Sequence, residues 1–302
     1  MLSIKKSLQC WIICKFSMKR TKELKEELVS LEEFLTMVEA YEEISALRMR
    51  KVKKSVLKRR EFMQGLNEAF AYIAYSYKIF RKSAKKGAKD EILNTNGKTV
   101  LVLLSSNTGL YGEIIRKTFD LFMKDANEKK SADLIIVGRL GKSFFDSTGD
   151  SRKYEFFELS DTGVDESALK VVVNHVSSYS EVVVYHGVFR SILQQDPKAT
   201  HVTGEVLKIT EGAEEYNVPF LFEPSVKHVA EYFEKQILSL IFEQSLFESS
   251  LSKFASRMVS LDSSAANIHQ KISRVDFDVK KARHRAINTG IQGSLAGGDI
   301  WR

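Results

Sequence analysis

Gly138-Arg139-Leu140-Gly141-Lys142-Ser143 has the glycines, the lysine and the hydroxyl of a phosphate-binding loop. Such a loop holds phosphate oxygens with backbone N–H groups and a lysine, and the Walker form places four residues between its glycines. Only Arg139 and Leu140 separate the glycines here, so nucleotide binding is not expected. Gly109-x-x-Gly112 carries part of a dinucleotide turn. It lacks the third glycine, and no acidic residue closes the next apolar run. Close strand-to-helix packing is the expected use of these glycines. His175, His186, His201, His228, His269 and His284 are scattered, with no pair at metal-ligand spacing on one helix. Cys10 and Cys14 stand far from any histidine. They fit neither a metal site nor a disulfide framework, and they point to a reducing compartment. Nothing in the spacing assembles a nucleophile, a base and an orienting acid. The residues predict no enzyme, no cofactor, no metal and no small-molecule substrate.

Charge is the stronger signal. Lys and Arg number 46 against 39 Asp and Glu, a net +7. Arg48 to Arg60 holds eight basic residues and no acidic one. This is either a solvated helix face or a surface for an acidic partner. Nucleic acid is disfavoured, because no aromatics are interleaved for base stacking. Lys78 to Lys89 is a second basic run.

The elements that carry these residues follow from periodicity. Only Pro197, Pro219 and Pro224 interrupt 302 residues, so helices can run long. Leu8 to Phe16 is apolar for about nine residues, short of the ~20 that span a bilayer. No small-residue cleavage site follows it, and residues 1–17 read as an N-terminal extension. Residues 18–90 read as a helix. Leu24, Leu28, Leu31, Leu35 and Val38 step by four and three, the seam of a coiled coil. Glu42 and Ser45 fill the next slots, and Met49, Val52 and Val56 resume the seam. Phe62 continues an apolar stripe to Phe80.

Residues 91–222 change period. Thr99–Leu104, Leu134–Val137 and Val182–Tyr185 are continuous apolar runs that fit buried parallel strands, the last ended by Gly187. Helices are expected over Gly109–Lys124 and Glu166–Ser177, with edge strands at Phe156–Leu159 and Val202–Ile209. Alternating strand and helix predicts a Rossmann-like α/β domain. Residues 223–302 are helical again, with Ser225 as a cap. Phe247, Leu251, Phe254, Met258, Leu261, Ala265, Ile268, Ile272, Val275, Val279, Ala282 and Ala286 alternate steps of four and three without a miss. Some 60 residues make a helix of roughly 90 Å. Gly290, Gly293, Gly297 and Gly298 are expected to weaken its end. Such a seam must be covered, and the N-terminal seam is the natural cover. The predicted fold is an antiparallel coiled coil of N- and C-terminal helices with the α/β domain inserted between them.

Five segments, in order, resemble the gamma (central-stalk) subunits of rotary F-type ATP synthases. Ser105-Ser106-Asn107-Thr108-Gly109-Leu110-Tyr111-Gly112 resembles the family's S-D-x-G-L-C-G-G. Phe189-x-Ser191 with Gln195-Asp196-Pro197 resembles F-x-S-x-x-x-Q-x-P, and Glu223-Pro224-Ser225 resembles its E-P-S. Ala255 to Asn267 resembles A-A-R-M-x-A-M-x-x-A-x-x-N-A, and Arg283 to Ile287 with Gly297 resembles R-Q-x-x-I and a late glycine. The likeness spans residues 19–298. It departs in the first helix, where the family's I-T-K-A-M-K-M-V-A-A-x-K-L becomes Met37 to Met49. Glu39 and Glu42 replace lysines there, and Glu43 replaces a methionine.

The resemblance implies a noncatalytic rotor shaft of a proton-translocating ATP synthase, coupling rotation to ATP synthesis or hydrolysis. Its implied partners are the alpha and beta subunits of the catalytic head, an epsilon-type subunit and the membrane c-ring, with no nucleic acid. The implied location is peripheral, at the cytoplasmic face of the plasma membrane. Arg257, Met258, Asp262 and Asn267 match the family's densest motif, and Arg283, His284 and Asn288 match positions that touch the head. With Glu39, Glu42, Glu43 and Arg48, these are the expected subunit-interface residues. The alternatives are a gamma-like subunit of a specialised F-like ATPase that hydrolyses ATP for other work, and a coiled-coil scaffold protein. The eight glutamates of Glu23–Glu43 face a last helix carrying Lys271, Arg274, Lys280, Lys281, Arg283 and Arg285. Antiparallel pairing predicts flanking ion pairs between them.

Overall fold

The apolar runs become neighbouring strands. The computed structural model describes residues 2–83, 96–161, 166–202, 223 and 226–298. Strands β1 (Thr99–Leu104), β2 (Asp133–Val137), β3 (Tyr154–Phe157) and β4 (Glu181–Phe189) pair in parallel, in the order β3-β2-β1-β4. β5 (Gln195–His201) adds an antiparallel edge beside β4. Helices α1 (Leu2–Ser83), α2 (Ile114–Glu128), α3 (Arg139–Ser147), α4 (Glu166–Val176) and α5 (Val226–Gly298) complete the fold. It is a mixed α/β architecture with a long helix at each end of the chain.

The chain divides into two compact units. Residues 45–260 form one, with the sheet at its centre. Successive strand side chains point to opposite faces. Val100, Val102 and Leu104 pack with Val172 and Val176 of α4 and with Leu238 and Phe242 of α5. Leu101 and Leu103 face the other way, onto Phe119 and Phe122 of α2 and Phe145 of α3. A further cluster joins Met49 and Val56 of α1, Ile114 and Ile115 of α2, and Leu251, Phe254 and Ala255 of α5. Within this unit α1 and α5 run in opposite chain directions. Arg48 lies over the Phe254 ring, while Arg59 meets Phe247 and Glu243.

Residues 1–44 and 261–302 form the other unit. Val38, Leu261, Ala265 and Ile268 are buried together there, flanked by Leu31, Leu35 and Ile272. These are the seam positions read from the sequence.

Several expectations change. α2 begins at Ile114, not Gly109, because Leu110 (φ 66°) and Gly112 (φ 60°) are left-handed and cannot open a right-handed helix. α3 was not expected: its sequence reads as a glycine-basic loop, yet it folds as a helix straight after β2. β4 continues through Gly187 to Phe189, since β5 pairs with it along that length. Phe62 is exposed rather than part of an apolar stripe. The glycines expected to weaken the end of α5 lie inside it, since it continues to Gly298. Each costs a helix about 1 kcal/mol against alanine, too little to stop a long cooperative one. Of the expected strand over Val202–Ile209, all but Val202 lies outside the described residues. So do the Ser225 cap and the basic end of the first helix beyond Ser83.

Candidate functional site

The sheet order reverses between β1 and β4. In open α/β sheets that is the topological switch point, where ligands bind beyond the carboxyl ends of the strands. Here the loop after β1 (Ser105 to Gly112) occupies the place, and α5 fills it. Lys253 donates from Nζ to the Ser105 carbonyl oxygen at 3.0 Å. The same ammonium stands 3.6 Å from Asp161 Oδ1, with both side chains more than nine-tenths buried. Asp161 accepts from the backbone N–H groups of Asn107 and Thr108 and from the Thr108 hydroxyl, at 3.0 to 3.1 Å. Burial pushes the Lys253 ammonium down from its ordinary value, and the Asp161 carboxylate opposes that shift. A cavity of about 50 Å³ remains beside Ser105, Asp161 and Lys253.

One turn along α5, Arg257 is buried and grips the same loop. Its guanidinium donates to the carbonyl oxygens of Gly109 (2.6 Å) and Leu110 (3.1 Å) and lies 3.9 Å over the Tyr111 ring. Burial raises the Tyr111 phenol above its usual range. Gly112 passes so close to α5 that an added Cβ would meet Ser256 and Ser260 Oγ at 2.5 Å. Gly187 of β4 leaves the same narrow clearance to Ser252 Oγ, 2.6 Å.

The phosphate-like loop is also committed to the protein itself. Gly138 N–H donates to the Phe157 carbonyl, Arg139 N–H to Asn107 Oδ1, and Leu140 N–H to the Ser106 carbonyl. These amides are the groups that a phosphate would need. Both glycines serve close approach: a Cβ on Gly138 would strike the Ser106 backbone at 2.8 Å, and one on Gly141 would meet Ser105 at 2.7 Å. Among the described residues, no group of three His, Cys, Asp or Glu is placed to hold a metal, and no helix is long and apolar enough to cross a membrane.

The expected interface residues fall in both units. In the sheet-bearing unit, Arg257 and Met258 sit at the α5 junction, and Arg48 is exposed with its guanidinium 6.0 Å over Phe254. In the other unit, Glu39 pairs with His269 at 3.7 Å. Glu42 is half-buried, and Glu43, Asp262, Asn267, Arg283, His284 and Asn288 are exposed. Of the expected ion pairs, Glu27–Lys271 forms at 3.3 Å, whereas Lys280 pairs with Asp276 on its own helix. Sequence reasoning missed Lys253 and Asp161. A signal existed: Lys253 is the lone charge in Ser249-Ser250-Leu251-Ser252-Lys253-Phe254-Ala255-Ser256. That density of small residues marks a helix in contact on every side.

Comparison with known proteins places this geometry. The family model described as ATP synthase matches residues 20–297. The ATP synthase gamma chain of Geotalea daltonii is 26% identical over 291 residues, covering 92% of this chain and 97% of the relative. That of Geobacter metallireducens is 26% identical over 289 residues, with the same coverage. The fold is similar to a chain of the Euglena gracilis mitochondrial ATP synthase rotor, with TM-score 0.60 and 13% identity, covering 89% of this chain and 99% of that one. It is also similar to a chain of the Tetrahymena thermophila central stalk and c-ring structure, with TM-score 0.53 and 19% identity, covering 76% and 99%. Built on a switch-point crevice closed by its own last helix, and matched along almost its whole length, the chain belongs to the ATP synthase family as a divergent gamma chain, the central-stalk subunit of the F-type enzyme.

Proposed function

We propose that the chain is a noncatalytic rotor shaft. α1 and α5 form an antiparallel coiled coil, with residues 18–90 and 223–302 as its two halves and residues 91–222 as the inserted α/β domain. The reversed chain directions of the Arg48–Phe254 and Arg59–Glu243 contacts support this reading. The observation that carries it is the filled crevice. Lys253 and Arg257 take the place that a nucleotide would occupy, so the domain grips a helix instead of a substrate.

In this role the shaft turns inside a head of alpha and beta subunits. It bears an epsilon-type subunit and contacts the membrane c-ring, at the cytoplasmic face of the plasma membrane. Arg283, His284, Asn288, Asp262 and Asn267 are exposed on α5 and accessible to the head. The experiment is purification of the tagged chain from its host. Alpha and beta subunits must accompany it, and a homo-oligomer without them sinks the reading in favour of a scaffold.

Glu39, Glu42 and Glu43 favour a second reading, a gamma-like subunit of an F-like ATPase that works by hydrolysis. ATP synthesis driven by an imposed proton gradient in vesicles carrying the purified complex decides against it.

A further inference from the structure

The crevice filled by α5 does not balance its own charge. Lys253 and Arg257 are both buried there. Among the described residues, Asp161 is the buried carboxylate that stands against them. Glu248, earlier on α5, is buried too, but Arg60 takes up both of its oxygens at 2.6 and 2.9 Å. Arg257 gives its guanidinium to two neutral carbonyls. Two buried cations therefore share one carboxylate, and a buried charge without a counter-charge is costly.

Hydrogen-bonding capacity is left over as well. An ammonium has three N–H groups. Lys253 gives one to the Ser105 carbonyl and turns another toward Asp161, which leaves the third. Ser105 is itself buried, and its hydroxyl has no hydrogen-bond partner among the described residues. Both residues wall the cavity of about 50 Å³, together with Ser249 and the apolar Leu159 and Phe247. Asp161 is also in the wall, but the Asn107 and Thr108 groups engage both its oxygens and draw off their charge.

Size and polarity choose the occupant. One water needs about 10–15 Å³ of such space, and a cavity of about 150 Å³ takes benzene. The space here admits an ion of a few atoms and excludes a nucleotide. A single excess charge and apolar walls select a monovalent, weakly hydrated ion, because a phosphate would bring charge that nothing neutralises.

We infer that this cavity is a site for a small monovalent anion of the chloride or nitrate class, held by the Lys253 ammonium and fastening α5 into the crevice. It lies against Leu104 and Val137, the carboxyl ends of β1 and β2, where open α/β sheets take their ligands. The site stands apart from the shaft reading and does not depend on it.

The test melts the full chain in sodium chloride and in sodium gluconate at equal ionic strength, gluconate being too large for the cavity. At about ten times its Kd, chloride should raise the thermal midpoint by about 2–5 °C over gluconate, with a saturating dose response. Nitrate should act as chloride does. Lys253→Met/Asp161→Asn removes the ammonium and keeps volume, so the chloride advantage should vanish. In crystals of the parent chain grown with bromide, anomalous scattering should place the ion beside Lys253. Equal midpoints of the parent chain in chloride and gluconate overturn the site. A chloride advantage that persists in the double variant also overturns it, since the ion then acts elsewhere. Bromide absent from the cavity overturns it whatever the double variant does.

Discussion

Lys253 Nζ and Asp161 Oδ1 stand 3.6 Å apart, both more than nine-tenths buried, and join the last helix to the segment after β3. Removing one partner of such a pair strands the other charge, at about 3–5 kcal/mol. Asp161→Ala also orphans the Asn107 and Thr108 amides, so its loss of stability should reach that range in denaturant titration. Lys253→Met/Asp161→Asn removes both charges and keeps volume. It should be clearly more stable than Asp161→Ala, and equal losses would contradict the pairing.

His186 supplies a pH dependence. The ring is fully buried, donating from Nδ1 to the Gly187 carbonyl oxygen at 3.2 Å, with Nε2 at 2.9 Å from the Thr200 hydroxyl. Burial pushes it down from 6.5 to about 4. The unfolded chain therefore binds the proton first. Stability from this group is complete above pH 6.5 and lost as pH falls toward 4, a total of about 3 kcal/mol. Unfolding free energies measured at pH 7, 5.5 and 4 should show that slope. His186→Gln should flatten its share, and an identical profile would remove the assignment.

Gly187 sits in a strand and has no need of a left-handed angle, yet its missing Cβ matters. An added carbon would lie 2.6 Å from Ser252 Oγ and 2.8 Å from Ile114 Cγ1. Gly187→Ala should destabilise by about 1–3 kcal/mol through overpacking. Gly109→Ala, with open space at its Cβ, should cost far less. Thermal melts of the pair check the contrast.

Glu27–Lys271 and Glu39–His269 are exposed pairs between α1 and α5. Each is worth under about 1 kcal/mol and is screened by salt. Glu39→Lys/Glu42→Lys/Glu43→Lys should lower helix stability at low salt by about 1 kcal/mol in all, with the difference fading at high salt. No difference at low salt would leave these glutamates without a role between the helices.

The strands were legible because β1, β2 and β4 are buried on both faces and read as unbroken apolar runs. The seam of Leu31, Leu35 and Val38 against Leu261, Ala265 and Ile268 was legible for a similar reason: a buried stripe repeats. β5 was not. Gln195-Asp196-Pro197-Lys198-Ala199-Thr200-His201 is polar, contains a proline and sits at an edge, so nothing in its composition separates it from a loop. α3 was hidden by Gly138 and Gly141, whose spacing drew attention to chemistry that the amides do not perform. Arg257 came from the family motif, but its partners did not, since they lie 147 and 148 positions away. Periodicity reports local geometry, and it is silent on which distant loop a buried cation will grip.

Ser245, Ser249, Ser252 and Ser256 are buried along α5, and Ser252 and Ser256 face Gly187 and Gly112 across gaps too small for one more carbon. Serine has a single heavy-atom torsion where leucine has two, and close-packed interiors transmit strain. This stretch of helix therefore has little elastic give. A displacement along it is passed to the strand and the turn that it touches through Gly187 and Gly112.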